Sequence, residues 1–399
     1  MNLISILSGL ILLEGGAQLL VRALKKNSQW LITPADKFPS FNRSNLEKFI
    51  TSGFDSELGW IRKPNTYKEE LGAKGKTSWY HINNIGARTN PMHESWPKTI
   101  SCYGDSFVFA RQINDGDTFE WHLSELTKTN VLNFGVGNYG LDQALLRLKR
   151  EYPKNKTKIV ILGVVPSTIV RILCVWKHYN EFGNIYGFKP RFILQEGKLK
   201  LIDNIINTED KFLNYKDYLP QINKYDYFYT TKFLKEIIKF PYLFSILRNP
   251  TRHIPLLSLI LKEKLVTKNR KNQPYPLHAK IIMDTNLKLR IGLFNKEEPV
   301  KLMEELVRDF ITYSKENNFT PVFLWMPQKD DIYYIRKHNN YYTKFIRRVR
   351  QNIKVIDLTD ILLNATNLDN LYCDDSHYGG HFNEAGNKLI AETIYKELR

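Results

Sequence analysis

Three short stretches of this chain hold residue types that could do chemistry together. The first is Tyr103-Gly104-Asp105-Ser106-Phe107. A serine hydroxyl is a weak nucleophile until a neighbouring base takes its proton, so Ser106 needs a partner from elsewhere in the chain. The second is Asn133-Phe134-Gly135-Val136-Gly137-Asn138-Tyr139-Gly140. Glycines ahead of a helix expose backbone N–H groups, and the helix start adds a favourable dipole, which suits a tetrahedral oxyanion. The same glycines would also serve a plain strand-to-helix turn. The third is Asp374-Asp375-Ser376-His377-Tyr378-Gly379-Gly380-His381-Phe382-Asn383, which brings two carboxylates and two imidazoles into one short block. Histidine is the natural general base near neutral pH, and a carboxylate can fix its tautomer and stabilise the imidazolium.

Asp and His are also metal ligands. The Gly379-Gly380 pair argues against one helix face presenting both imidazoles, and the sequence holds no further ligand cluster, so a triad is preferred to a metal site. Asn383 can cap a helix that starts there. His381 lies just ahead of that cap and is the expected base, with Asp375 or Asp374 as its orienting partner. His377 is the alternative base, or a group that hydrogen-bonds behind it.

The elements that must position these residues follow from hydrophobic pattern. Residues 99–103, 130–136 and 158–165 read as strands, the last almost wholly apolar, as a central parallel strand should be. Asp117-Thr118-Phe119-Glu120 resembles a capping box at a helix start. Leu141, Ala144, Leu145 and Leu148 recur at helical spacing with one buried face. The alternation stops near 168 and resumes near 300. There a helix over 300–313, a strand at 321–326, a charged helix over 330–350, a strand at 353–358 and a closing helix from Asn383 are expected. Five strands alternating with helices argue for a three-layer α/β sandwich with a parallel sheet. In such sheets ligands meet the carboxyl ends of the strands, where Ser106 and the glycine-rich turn fall. Residues 178–298 interrupt this core. They read as a cap over the substrate site, or as a plain decoration or oligomer contact.

Residues 3–21 are apolar or glycine apart from Ser5, Ser8, Glu14 and Gln18, and Arg22, Lys25 and Lys26 follow. About 20 such residues suit one crossing of a bilayer core. No basic stretch precedes them and no small-residue cleavage site follows, which disfavours a cleaved signal peptide. Residues 1–26 are therefore expected to anchor the chain in a membrane, with an amphipathic helix packed on the domain as the alternative, because Glu14 is costly in lipid. The basic flank favours a cytoplasmic domain, although one short segment does not fix the side. Residues 27–98 read as a linker and a β-rich lead-in, and 99–399 as the principal domain. Lys and Arg number 58 against 41 Asp and Glu, a net charge of +17 that favours anionic partners such as a lipid headgroup surface or an acidic polysaccharide. No zinc-finger spacing, helix-turn-helix or RNA-binding motif is present, so nucleic acid is not an expected partner. Cys102, Cys174 and Cys373 make no disulfide framework.

Gly104-Asp105-Ser106, the turn over 133–140 and the Asp/His block before the last helix together resemble the ordered blocks of SGNH (GDSL-type) hydrolases, over about 99–175 and 320–399. Gly59-Trp60 and Ile82-Asn83-Asn84-Ile85-Gly86-Ala87-Arg88 are similar to the lead-in of membrane-anchored bacterial members. The resemblance implies a flavodoxin-like fold and ester hydrolysis or acyl transfer with neither metal nor organic cofactor. Its oxyanion donors would be Ser106, Gly137, Asn138 and Ser167. Two departures stand out: Asn138 occupies the position of a glycine, and Ser167 or Thr168 replaces an asparagine side chain. Losing one such donor commonly costs about 10²–10³ in turnover. The resemblance leaves three functions open: an esterase acting on an acylated carbohydrate or lipid, O-acetyl groups included; an O-acyltransferase using the same triad; and a degenerate carbohydrate-binding module.

Overall fold

The computed structural model describes residues 3–266, 276–374 and 380–399. The chain divides into two compact units. One comprises Met1–Glu47, Cys174–Phe188 and Thr208–Leu289, the other Lys48–Leu173, Lys189–Asn207 and Arg290–Arg399.

The larger unit is built on a five-stranded sheet of β1 (Lys98–Gly104), β2 (Asn130–Asn133), β3 (Ile159–Val164), β4 (Thr320–Trp325) and β5 (Lys354–Asp357). The strands lie in the order β5-β4-β3-β1-β2 and every pair is parallel. This is the flavodoxin-like order, with its switch point between β1 and β3. β1, β2 and β3 are buried nearly end to end because helices cover both faces. Helix Phe119–Thr127 packs with the closing helix Glu384–Leu398. Their Phe119, Leu123, Ile390 and Ile394 join Ile100, Cys102 and Ile161 in one apolar cluster. Helix Leu141–Glu151 packs with Glu297–Asn317. Leu141, Ala144, Leu145 and Leu148 are buried as expected, but so are Asp142, Gln143, Leu146 and Arg147, so the helix has more than the one buried face its spacing implied.

Local chemistry shifts several boundaries from those expected. The helix expected near Asp117 starts at Phe119, since Thr118 is the residue whose side chain caps it, accepting from Trp121 N at 3.1 Å. The charged helix expected over 330–350 is two helices, Lys329–Ile335 and Thr343–Arg350. Asn340 separates them: its side chain accepts from Tyr342 N at 3.0 Å, and its carbonyl accepts from Thr343 Oγ1 at 3.1 Å. That side chain offers the backbone an alternative to continuing the helix. In the lead-in, Thr66–Leu71 and Thr77–Ile82 pair as an antiparallel hairpin. A second hairpin, Arg191–Gln195 with Lys198–Ile202, belongs to the sheet-containing unit although it lies within the expected insertion.

The smaller unit is helical. The N-terminal helix Leu3–Lys25 contributes Val21 and Leu24 to a buried cluster with Leu31, Ile238, Leu256, Leu257 and Ile260. Residues 27–47, expected as a linker, belong to this unit. Cys102, Cys174 and Cys373 are free thiols, all buried.

Candidate active site

Ser106 follows the carboxyl end of β1, next to the switch point. It opens a single helical turn in which Phe109 N donates to Asp105 O at 2.9 Å and Arg111 N to Ser106 O at 3.1 Å. Asp105 shapes this turn. Its fully buried carboxylate accepts from Phe107 N at 2.8 Å, from Val165 N at 3.3 Å and from Arg171 Nη1 at 2.9 Å. Burial pushes the Asp105 carboxyl up, while Arg171 and the two amides pull it back toward the ionised form. Arg171 also donates to Tyr139 O at 3.0 Å, so one guanidinium joins the serine turn to the glycine-rich loop.

That loop presses on the serine turn directly. A Cβ on Gly135 would lie 2.2 Å from Phe109 N, so only glycine fits there. Asn133 Nδ2 donates to Val108 O at 2.9 Å, and Val136 N donates to Gly104 O at 3.0 Å. Beyond it, Gly137 is half-buried, and Asn138 is exposed with φ +67. Among the described residues the amides of Ser106, Gly137 and Asn138 donate to no protein group. Ser167, expected as a further donor, follows β3, and its buried Oγ has no hydrogen-bond partner among the described residues.

His381 sits beside the serine turn. Its ring lies 4.9 Å from that of Phe107, the residue after Ser106, and Phe382 meets Phe107 edge-on at 5.3 Å. The backbone fixes its place: Cys373 N donates to His381 O at 2.8 Å, and Asn383 N to Leu371 O at 3.0 Å. Asn383 then caps the closing helix through Gly386 N at 3.0 Å. His381 Nδ1 lies 2.7 Å from Gln112 Oε1, which also accepts from His381 N at 3.0 Å. An amide oxygen only accepts, so this contact puts the proton on Nδ1 and leaves the Nε2 lone pair available. Burial, then Arg111 and Arg171, lower the imidazole pKa to about 3. Among the described residues no hydrogen bond joins Ser106 to His381.

The expected carboxylates are placed in part. Asp374 approaches the same corner: a Cβ on Gly380 (φ +64) would lie 2.8 Å from both Asp374 Oδ2 and Gln112 Oε1. Its carbonyl accepts from the buried Lys329 Nζ at 3.1 Å, and that ammonium pairs with Asp369 at 2.7 Å. Asp375 and His377 lie outside the described residues. The structure thus brings Ser106, His381, Asp374 and the loop carrying Gly137 and Asn138 to one corner of the sheet.

Gln112, Arg171 and Arg88 were not singled out from sequence as parts of this corner. Arg88 is buried and holds the serine turn through its carbonyls. It donates to Phe109 O, Ala110 O and Ile113 O, each at 2.7 Å, and pairs with Asp115 at 2.8 Å. The lead-in motifs were the available signal: Arg88 ends the 82–88 segment, and Trp60 Nε1 donates to Gly137 O at 2.9 Å.

No family model matches the chain. No curated protein matches it either. Among solved structures it is similar to the acetyl xylan esterase AlAXEase, with 12% identity over 76% of this chain and 100% of that one, at a TM-score of 0.36. It is similar to a lipase/acylhydrolase from Enterococcus faecalis, with 12% identity over 76% and 95% of the two chains and a TM-score of 0.33. A third likeness is to a G-D-S-L family protein from Desulfitobacterium hafniense DCB-2, with 13% identity over 75% and 98% and a TM-score of 0.32. All three are distant.

Proposed function

We propose that the chain is a serine esterase that cleaves an acyl ester of a carbohydrate or lipid, O-acetyl groups included, and is tethered to a membrane by its N-terminal helix. The observation that carries the reading is the packing of the His381 ring on Phe107, directly after Ser106 at the end of β1. Ser106 Oγ attacks the acyl carbon as its proton passes to His381 Nε2. The Nδ1–H bond to Gln112 holds the ring in the place expected of a carboxylate, so Asp374 or Asp375 acts on the imidazolium through its charge and not through a bond to Nδ1. The oxyanion takes hydrogen bonds from the amides of Ser106, Gly137 and Asn138 and from the Ser167 hydroxyl. Collapse expels the alcohol, which carries away the imidazolium proton. Water then attacks the acyl-serine by the same steps in reverse roles and releases the acid. With a sugar hydroxyl in place of water, the same steps make an O-acyltransferase.

A binding module without turnover is the second reading. One observation favours it: Ser106 and His381 share no hydrogen bond among the described residues. A fluorophosphonate probe separates the two. Modification of Ser106, lost in Ser106→Ala and His381→Ala, supports the enzyme, whereas an unmodified Ser106 in folded protein supports the module. Turnover of p-nitrophenyl acetate with and without a sugar acceptor then distinguishes hydrolysis from transfer.

A further inference from the structure

We infer that residues 239–266 form a second lipid-embedded element beside the N-terminal helix, seated in a bilayer with anionic headgroups. The inference rests on the membrane reading above and extends it from one tether to a helical surface. Within the smaller unit, Glu14 does not face outward alone. Its carboxylate accepts from the amides of Tyr242 and Leu243, the latter at 2.9 Å, and so caps the start of helix Tyr242–Leu247. A carboxylate that caps a helix start is stabilised by the amides and by the helix dipole. That relieves the main objection to Glu14 in lipid.

The surface around this cap is apolar. Phe240, Phe244 and Leu247 are 72%, 67% and 64% exposed, and Ile254 and Leu265 of helix Pro250–Val266 are also exposed. On the N-terminal helix Ile11, Leu12 and Leu13 are likewise exposed. Exposed Lys239 and Arg248 bracket the apolar segment, and exposed Lys262 and Lys264 lie near the end of the second helix. An apolar face bordered by cations suits acyl chains under anionic headgroups. The other side of the same helices is committed to protein, since Leu256, Leu257 and Ile260 pack on Val21 and Leu24.

Spin labels on the full-length chain in phosphatidylcholine–phosphatidylglycerol vesicles test this. Labels at Ile11→Cys, Phe244→Cys and, as an aqueous control in the other unit, Met92→Cys are compared for collision with oxygen and with a water-soluble nickel chelate. The three native cysteines are buried. The expected result is several-fold greater collision with oxygen than with nickel at both 11 and 244, and the reverse at 92. A lipid-exposed 11 with a water-exposed 244 would overturn the inference and leave the tether standing. A 244 label shielded from both probes places it in a protein contact and also overturns the inference. Water exposure at 11 and 244 together sinks the membrane reading itself.

Discussion

His381 differs from an isolated imidazole in what surrounds it: an apolar ring on one side, an amide oxygen on Nδ1, and two guanidinium groups nearby. Burial, Arg111 and Arg171 all disfavour its protonated form, hence a pKa of about 3. A general base works when neutral, so activity that depends on His381 is retained above that value and falls as pH drops through it. The acid limb of kcat/KM should therefore lie near pH 3, well below the limb near 6.5 of an unperturbed histidine; a limb near 6.5 shows that another group governs. Gln112→Glu tests the Nδ1 partner. A carboxylate there favours the imidazolium and raises its pKa, so the acid limb should move to higher pH. An unmoved limb means that Gln112 does not hold the working ring. Ser106→Ala should lower turnover by about 10⁴-fold or more, with the fold intact by circular dichroism. At this scale the sequence was partly legible. Ser106 and His381 lie in short motifs with recognisable spacing. Gln112 does not, because it reaches His381 from 269 positions away. Nor does Arg171, whose carboxylate partner Asp105 lies 66 positions earlier.

The elements explain why the serine turn holds its shape, and the lead-in is one of them. Arg88 satisfies three carbonyls of residues 109–113 and neutralises the buried Asp115. Arg88→Ala leaves that carboxylate without its guanidinium and the carbonyls without donors. Breaking a buried pair from one side typically costs about 3–5 kcal/mol. Chemical denaturation should show a loss of that size, with kcat falling as the turn loosens. A change below about 1 kcal/mol, the worth of an exposed pair, would mean that the turn is held by other contacts. The strand and helix alternation was legible because burial on both faces leaves long apolar runs, as in Ile159–Val164, and apolar residues at helical spacing mark a helix, as in Leu141–Glu151, although there the polar Asp142, Gln143 and Arg147 are buried too. What escaped were contacts made by single polar side chains. Asn340 breaks a helix that charge pattern alone would continue, and Thr118, one residue on from Asp117, sets a helix start.

For the molecule as a whole, two physical causes could bring it to a membrane, and they respond oppositely to salt. A net charge of +17 attracts anionic headgroups, but that attraction is screened within about 3 Å at 1 M ionic strength. The apolar stretch Ile4–Lys25 is long and apolar enough to cross a bilayer, and its burial in lipid does not weaken as salt rises. Its last turns are also part of a protein core, since Val21 and Leu24 are 1% exposed. Sequence showed the apolar run and its basic flank, but not that the last turns of the helix pack in a protein core, because apart from Leu31 their partners there lie more than 200 positions away. Full-length protein bound to phosphatidylcholine–phosphatidylglycerol vesicles should therefore stay bound through a 1 M salt wash, at which the charge attraction is screened, and come off only in detergent. Release by salt alone would assign the binding to surface charge and refute a lipid-embedded helix. Retention together with a Val21→Ala/Leu24→Ala variant that binds equally well but unfolds more easily would separate the two roles of the helix. Each truncation removes buried methyl groups, and Leu→Ala alone typically costs about 2–5 kcal/mol, while exposed apolar residues such as Ile11, Leu12 and Leu13 are untouched.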